Sequence, residues 1–430
     1  MKASVLPLFA CSVLFAASAR GEAWVSGAPD RADPVSYAVD DEVVWTFRAE
    51  KVPPSAAGRM LGWSWTVAGD GPAATGTAPF VPGEPLVFTN SFAAPGFLRA
   101  AASLVDTESG RALRVPGGIA AAAVAAGASP ADLAPPEEPA DFDAFWAEAK
   151  AEALSPDPSL PPASLLPAPE EAVRSAPGCR VSNFAVPTKR GSPQATGWVS
   201  WPANAAEKSL PLVVRFWDYG MGPQKFPADF DRDALFVCVH PHGFLPGRDD
   251  AFYSAAFAAI SNGGRGGAYG FRDDENADPR TCYFRGMVQR ALAAVRFAKT
   301  LPMWDGERLT LAGRGQGAFQ AVACAALLDG DEAPTFLRLS APWLCGLGLD
   351  TSWQPSFQPS LRYFDTVNFA RRVGIPAQIE ADLLDTAHSP AGAARLYNAL
   401  GGPKRLVFRQ GEGTEPVATL ESGAEPAPER

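Results

Sequence analysis

The sequence predicts two folded units in order, a small all-β sandwich and then an α/β unit built on a doubly wound, mostly parallel sheet. The chain has 430 residues, which is more than one ordinary domain requires. Its N-terminal quarter contains short strand-like runs without helical periodicity, whereas strands and helices alternate after a proline-rich stretch. Hydrophobic residues make up 47% of the chain, which is enough to supply a core to each unit.

Residues 1–22 have the features of an export signal rather than of a folded element. Lys2 provides a positive start, an apolar stretch follows, and residues 17–19 read Ala-Ser-Ala, a pattern typical of a cleavage site. The apolar stretch is too short to span a bilayer, and no later stretch approaches that length. We therefore expect a mature protein that has no membrane span and is secreted or periplasmic.

Residues 23–128 are predicted to form the β-sandwich, of immunoglobulin-like type. Apolar and polar residues alternate in the first two strand-like runs, as expected for strands that place one face on a core. The alanine-rich residues 120–126 and the proline-rich residues 135–139 indicate the boundary, with a stiff linker over residues 129–140. The predicted strands are residues 42–47, 61–67, 85–89 and 97–104.

Residues 141–420 are predicted to form the α/β unit, followed by a disordered tail over residues 421–430. Asp141 is a candidate N-cap of a first helix, in which Phe142 and Trp146 share one face. Ligand sites in such sheets lie beyond the carboxyl ends of the strands, so the segments after the strands carry the candidate functional residues. Further strands are predicted at residues 197–201, 212–217, 235–239, 309–312, 377–381 and 406–408, and helices at residues 284–295, 316–328 and 391–400.

Charge and cysteine content exclude several classes of partner. The net charge of -10 and the pI near 5.0 argue against binding to the phosphate backbone of nucleic acid. The spacing of the cysteines matches no metal cluster, so we expect no metal site and no cofactor. Cys238 and Cys324 lie in apolar runs and are predicted to be buried thiols. The sequence leaves open one disulfide among Cys179, Cys238, Cys282, Cys324 and Cys345.

Residues 311–318 have the pattern of a nucleophile elbow, the sharp turn between a strand and a helix that presents a catalytic hydroxyl. Gly313 and Gly317 supply the flanking glycines that this turn needs. The central position is Gly315, which has no side chain and therefore no oxygen nucleophile. An acyl-enzyme cannot form at this position.

Together with this elbow, several segments in the same order resemble the acetyl xylan esterase and cephalosporin-C deacetylase family of α/β hydrolases. The resemblance covers roughly residues 137–420 and predicts the α/β-hydrolase fold for this part of the chain. The residues that carry it are 141–146, 216–219, 278–285, 363–370, 384–385 and 397–404.

The resemblance implies a serine nucleophile, a histidine base and an aspartate that orients the base. Carried over by position, the serine falls on Gly315, the aspartate on Asp385 and the histidine on Thr414. The backbone amides of Tyr219 and Gln316 hold the places of the oxyanion donors. Two of the three catalytic side chains are therefore predicted to be missing, while the anion-binding amides remain.

The chain has three histidines that are candidates to replace the missing base. His240 and His242 follow a predicted strand, and an HxH pair binds zinc when a third ligand arrives. We favour the simpler interpretation that both are partly exposed loop residues. His388 lies only three residues after Asp385, which is too close for the usual geometry unless the loop bends.

The remaining polar and aromatic candidates have simpler interpretations too. Asp218 is either a functional carboxylate near Asp385 or a residue that hydrogen-bonds local amides, and the second is the commoner role. The acidic runs at residues 249–250 and 273–275 are either lid or oligomer contacts or, as is commoner for such runs, solvated faces. Trp343, Trp353 and Phe357 lie where an α/β hydrolase builds a cap over its site. They suit either stacking on sugar rings or ordinary packing.

The sequence thus predicts a catalytically impaired or inactive homologue, a pseudoenzyme that keeps a pocket for acetylated carbohydrate or a small acetyl ester. An active deacetylase with a non-standard apparatus and a non-catalytic binding or assembly module remain the alternatives. The resemblance also implies a role in polysaccharide degradation and a possible homo-oligomer.

Overall fold

The computed structural model describes residues 23–155, 159–188, 192–222, 224–349 and 353–423. The predicted export signal and the last seven residues lie outside this part of the chain. Contacts divide the chain into two compact units, the first ending at Ala128 and also including Gln410–Thr414. The second contains Ser129–Arg409 and the residues after Thr414.

The first unit is an all-β sandwich of antiparallel sheets. One sheet has the strand order β1-β2-β5, a second has the order β4-β3-β6-β9, and β7 and β8 form a small ribbon. Trp45, Phe47 and Trp63 are fully buried between the sheets. The strands are β1 Val25–Pro29, β2 Glu42–Ala49, β3 Leu61–Gly69, β4 Ala74–Pro79, β5 Leu86–Ser91, β6 Gly96–Asp106, β7 Arg114–Val115, β8 Gly118–Ile119 and β9 Ala121–Ala128.

The alanine-rich stretch forms β9, the last strand of the first unit before Ser129, which the sequence analysis does not list as a strand. β9 pairs antiparallel with β6 from Gly96 to Ser103. Val124, Ala126 and Ala128 alternate along β9 and belong to the hydrophobic core. Alanine has a low β-propensity, but propensity depends on context, and burial against large core residues decides the structure here.

The second unit is built on a ten-stranded mixed sheet. Its strand order is β10-β11-β12-β14-β13-β15-β16-β17-β18-β19, and the six strands from β14 to β18 in this order are parallel. β14 and most of β13 are almost continuous apolar runs, as expected where both faces of a sheet are covered. The strands are β10 Ser164–Pro167, β11 Cys179–Val186, β12 Ala195–Pro202, β13 Leu210–Phe216, β14 Leu235–His240, β15 Trp304–Arg314, β16 Phe336–Ser340, β17 Ala377–Asp382, β18 Lys404–Arg409 and β19 Pro416–Ser422.

The helices connect these strands and carry the predicted apolar faces. Phe284, Met287 and Leu292 lie along one face of α4 and are fully buried. Asp141 precedes α1 but does not cap it, because its carboxylate accepts a hydrogen bond from the Tyr363 hydroxyl. The helices of the described part are α1 Phe142–Leu154, α2 Glu170–Ser175, α3 Asp250–Ser261, α4 Tyr283–Ala298, α5 Gln316–Leu327, α6 Thr366–Ala370 and α7 Pro390–Ala399. The predicted fold, an α/β-hydrolase sheet preceded by an all-β unit, is confirmed.

One further detail differs from the sequence interpretation, and one question that the sequence left open is answered. β19 ends at Ser422, two residues inside the segment predicted to be a tail, because it pairs antiparallel with β18. The five cysteines of the described part are free thiols, so no disulfide forms among them. Cys238 and Cys324 are fully buried, as predicted. No helix of the described residues is both long and apolar enough to cross a bilayer.

Candidate active site

The turn at Gly315 has the geometry of a nucleophile elbow. β15 ends at Arg314, α5 begins at Gln316, and Gly315 between them has φ 54° and ψ -118°. A β-carbon on Gly313 would overlap the backbone of Gly317, which explains why the first flanking position is glycine. The Gly315 amide donates to the Ser340 carbonyl at 3.0 Å, so the turn is held against the end of β16.

The carboxylate of Asp218 lies against the elbow and is held by two backbone amides. Asp218 follows β13, and its Oδ1 accepts hydrogen bonds from the backbone amides of Tyr219 at 2.7 Å and Gln316 at 3.0 Å. These are the two amides that the sequence predicts as oxyanion donors. A fixed carboxylate oxygen therefore lies where such a hole would hold the developing negative charge of a reacting ester.

Asp218 and Gly315 fit each other sterically. A β-carbon on Gly315 would overlap Asp218 Oδ1 and would lie 2.8 Å from Cγ and 2.9 Å from Oδ2. The space that a side chain at position 315 would need is thus filled by the side chain at position 218. Asp218 Oδ2 lies 3.8 Å from Arg314 Nε, and the Asp218 side chain is 36% exposed. The carboxylate therefore remains accessible to a ligand.

Asp385 and His388 form an ion-pair geometry within one loop, after the end of β17. His388 Nδ1 lies 2.8 Å from Asp385 Oδ2, and Asp385 Oδ1 accepts from the amides of Ala387 and His388. The loop therefore bends so that His388 reaches Asp385, although only three residues separate the two in the sequence. Burial raises the pKa of Asp385, but the hydrogen bonds and charge of His388 outweigh burial and hold it below its usual range.

Thr414 lies in the loop between β18 and β19, among the residues that group with the first unit. Its hydroxyl donates to the Gly411 carbonyl at 2.8 Å. A threonine hydroxyl does not act as a general base at neutral pH. That the base position falls on Thr414 stays a prediction from the resemblance.

His240 and His242 are buried, so the interpretation of both as partly exposed was wrong. Their exposed fractions are 1% and 3%. His242 Nε2 donates to the Gly220 carbonyl at 3.2 Å, which leaves Nδ1 to accept from the Tyr283 hydroxyl at 2.7 Å. Burial lowers the pKa of each to about 3, so both rings are neutral. Within the residues that the structure describes, no three His, Cys, Asp or Glu residues form a metal site.

Aromatic side chains pack over the elbow and around Tyr219. The Tyr219 ring stacks on Tyr269 with centroids 4.2 Å apart and meets Trp353 edge-on at 4.6 Å and Trp343 at 5.3 Å. The Tyr269 hydroxyl donates to Gln316 Oε1 at 2.9 Å. Trp343 is buried, whereas Trp353 is 41% exposed. The predicted cap residues thus combine ordinary packing with one accessible ring.

The acidic runs have structural roles. Asp249 caps α3 by accepting from the Phe252 amide at 2.8 Å. Asp274 pairs with Arg272 at 2.6 Å on the surface. These contacts agree with the interpretation of both runs as solvated faces.

Comparison with known proteins decides the family. Residues 134–347 match the family model described as acetyl xylan esterase (AXE1). The chain belongs to the acetyl xylan esterase family. The family match includes Asp218 and Gly315 and ends before Asp385 and Thr414.

Two relatives show how distant the known acetyl esterases are from this chain. The acetyl esterase Axe7A of Xylanibacter ruminicola is 23% identical over 141 residues, which cover 29% of this chain and 31% of that protein. The chain thus spans about a third of the length of the curated relative that it matches. The structure of the acetyl xylan esterase from Paenibacillus sp. R4 has 21% identity and a TM-score of 0.50, covering 65% of this chain and 91% of that chain. At this identity the likeness shows the fold alone.

Sequence reasoning missed the central residue of the site in this acetyl xylan esterase homologue. The sequence favours a local role for Asp218, yet its carboxylate also binds the Gln316 amide, 98 residues away in the chain. One signal is available in the sequence. The resemblance implies an aromatic-His-Gly-Tyr loop at residues 216–219, so it predicts glycine where this chain has Asp218, and it predicts serine where this chain has Gly315.

Proposed function

We propose that this chain is a carbohydrate-binding member of the acetyl xylan esterase family that does not hydrolyse esters through an acyl-enzyme. One observation carries the proposal: Asp218 Oδ1 occupies both amides of the elbow, and Gly315 offers no hydroxyl. An acyl-serine forms readily only when a hydroxyl attacks a carbonyl whose oxygen is held by such amides. Here both the attacking group and the room for the carbonyl oxygen are missing.

The surroundings of the elbow suit a sugar ring and its hydroxyl groups. Trp353 exposes part of its ring beside Tyr219, and Phe357, 43% exposed, follows four residues later. Asp218 Oδ2 accepts hydrogen bonds and Arg314 donates them, and both side chains are accessible. Aromatic faces and charged hydrogen-bonding groups together recognise the apolar faces and hydroxyls of a carbohydrate. With the expected export signal, this binding takes place outside the cytoplasm.

The purified mature chain is expected to show no turnover of a small acetyl ester or of acetylated xylan above the uncatalysed rate. Gly315→Ser/Thr414→His is also expected to be silent, because the new β-carbon and the Asp218 carboxylate compete for the same space at the elbow. Asp218→Gly/Gly315→Ser/Thr414→His frees the amides and restores the hydroxyl, and we expect hydrolysis at least about 100-fold above the wild-type level. Labelling by an alkyl phosphonate provides a second readout of an activated serine.

The catalytic part of the proposal is wrong if the wild-type chain turns over acetyl esters and this activity survives Gly315→Ala. Attention would then move to water activated by the Asp385–His388 pair. A serine variant that folds, judged by its circular dichroism spectrum, but is labelled no faster than wild type shows that the elbow has lost more than its nucleophile.

Replacing Trp353 with alanine is expected to weaken binding of xylo-oligosaccharides by roughly 5-fold or more, because stacked aromatic contacts each contribute about 1 kcal/mol or more. Isothermal titration calorimetry with the wild-type chain and the variant measures this directly. Leu165→Ala is a matched control, since Leu165 is 40% exposed and Trp353 is 41% exposed. Equal affinities in all three proteins would remove Trp353 from the proposed site.

A further inference from the structure

The side chain of Asp218 is chemically an acetate group attached to the backbone. Its methylene and carboxylate correspond to the methyl and carboxylate of acetate, the acid that deacetylation releases. In this chain the carboxylate sits with Oδ1 on the amides of Tyr219 and Gln316. The elbow therefore already holds the equivalent of a deacetylation product.

The fit between the carboxylate and its surroundings is close. The backbone of Gly315 lies against Oδ1, Cγ and Oδ2 at distances that leave no room for a β-carbon. On the other side, Tyr219 is fixed by its stacking on Tyr269 and by a hydrogen bond from its hydroxyl to the Tyr269 carbonyl at 2.9 Å. The Trp343 amide donates to the Gly315 carbonyl at 3.3 Å, which fixes the turn. An acetyl group cannot reach the two amides without displacing Asp218.

We infer that the elbow is a site for a short monocarboxylate or acetyl group that Asp218 keeps permanently occupied, and that the chain consequently selects deacetylated over acetylated carbohydrate. The second half of this inference rests on the proposed carbohydrate-binding function. The selectivity is the opposite of that of an acetyl esterase, which must admit the acetyl group. A sugar hydroxyl needs only Oδ2 of Asp218, whereas an acetyl ester at the same position meets the filled amide pair.

Acetate binding to Asp218→Gly tests the first half without any sugar. Removal of the side chain leaves both amides unpaired and opens a space with the shape of acetate, so the ion replaces the missing group. We expect acetate to bind Asp218→Gly in the millimolar range by ¹³C-acetate NMR. A ligand that binds only the folded state raises its stability, so roughly 100 mM acetate is expected to raise the melting temperature by about 3 °C. Equimolar sodium chloride controls for ionic strength.

Wild type and Asp218→Asn are the negative controls for acetate binding. Wild type and Asp218→Asn both keep a side-chain oxygen in the anion position, so neither should respond to acetate. Acetate binding to wild type with the same affinity as to Asp218→Gly would overturn the inference, and so would a folded Asp218→Gly protein that binds no acetate. Acetamide should bind Asp218→Gly more weakly than acetate, because the two amides favour a full negative charge.

Calorimetry with xylo-oligosaccharides and their acetylated forms tests the selectivity. Wild type is expected to bind the deacetylated sugar at least about 10-fold more tightly, and Asp218→Gly should reduce this ratio towards one. Equal affinity of wild type for both sugars contradicts the selectivity. If Asp218→Gly takes up acetate but wild type binds neither sugar, the proposed carbohydrate function fails while the assignment of the elbow stands.

Discussion

Replacing Gly315 with alanine is expected to lower the free energy of unfolding of the α/β unit by about 4 kcal/mol. Two effects add. A side chain at φ 54° is strained by roughly 1–3 kcal/mol, and the added methyl group drives the Asp218 carboxylate off its two amides. Hydrogen bonds to a charged group are worth about 1.5–3 kcal/mol, so losing them adds a cost about as large as the backbone strain. Urea denaturation of the purified variant near neutral pH measures the change.

Gly330→Ala separates the two effects. Gly330 has φ 55°, almost the value of Gly315, but no atom lies within 4 Å of where its β-carbon would be. Gly330→Ala should therefore show the cost of a side chain at positive φ without a steric overlap. In the Asp218→Gly background, the cost of Gly315→Ala should fall to the cost at Gly330, with a coupling of roughly 2 kcal/mol between positions 218 and 315. Additive effects would show that the carboxylate does not occupy this space.

Acid is expected to destabilise the α/β unit well above the pH at which carboxylates titrate, because His240 and His242 are buried and neutral. Burial lowers the pKa of each to about 3, whereas both titrate near 6.5 when the chain is unfolded. The unfolded state therefore binds more protons between these values, and stability falls as the pH drops below about 6.5. Each histidine contributes about 1.4 kcal/mol per pH unit, so the two together cost roughly 5 kcal/mol at about pH 4.5.

His240→Leu tests the assignment. Neither ring nitrogen of His240 has a hydrogen-bond partner in the described structure, so an apolar side chain of similar size should be tolerated or stabilising near neutral pH. The slope of stability against pH, between roughly 6 and 4.5, should then fall by about half. Urea midpoints across this range report the slope. A wild-type protein whose stability is constant across it would rule out two buried neutral histidines.

Periodicity made most of the α/β unit predictable. The alternation of apolar runs with an amphipathic helix such as α4 placed most of the parallel strands within a few residues of their observed ends. β9 was missed because alanine carries no strand signal, and only the pairing with β6 makes Ala121–Ala128 a strand. The burial of His240 and His242 was missed for a similar reason. Both residues lie at or just after the end of β14, where the sequence predicts an exposed loop. His242 is instead enclosed by Tyr283 and Gly220, which are distant from it in the chain and contact it only in the folded structure.

The candidate site was predictable as a set of positions but not as an arrangement. The spacing of the glycines located the elbow, and the family resemblance located Asp385. The bend that brings His388 to Asp385 depends on hydrogen bonds from backbone amides within the loop. The hydrophobic periodicity of the sequence does not predict such bonds. The contact between Asp218 and the Gln316 amide joins the ends of two neighbouring strands, β13 and β15. The two residues are visible separately in the sequence, and only the fold brings them together.

Because side chains at positions 218 and 315 compete for one space, the order of two substitutions decides how well a serine at position 315 is tolerated. A serine that arises first at position 315 meets both the strained turn and the Asp218 carboxylate, so that step lowers stability before any activity can be selected. A glycine that arises first at position 218 loses only the hydrogen bonds of the carboxylate and opens the space. A serine at position 315 is therefore tolerated after glycine has replaced Asp218, and it is costly before that replacement.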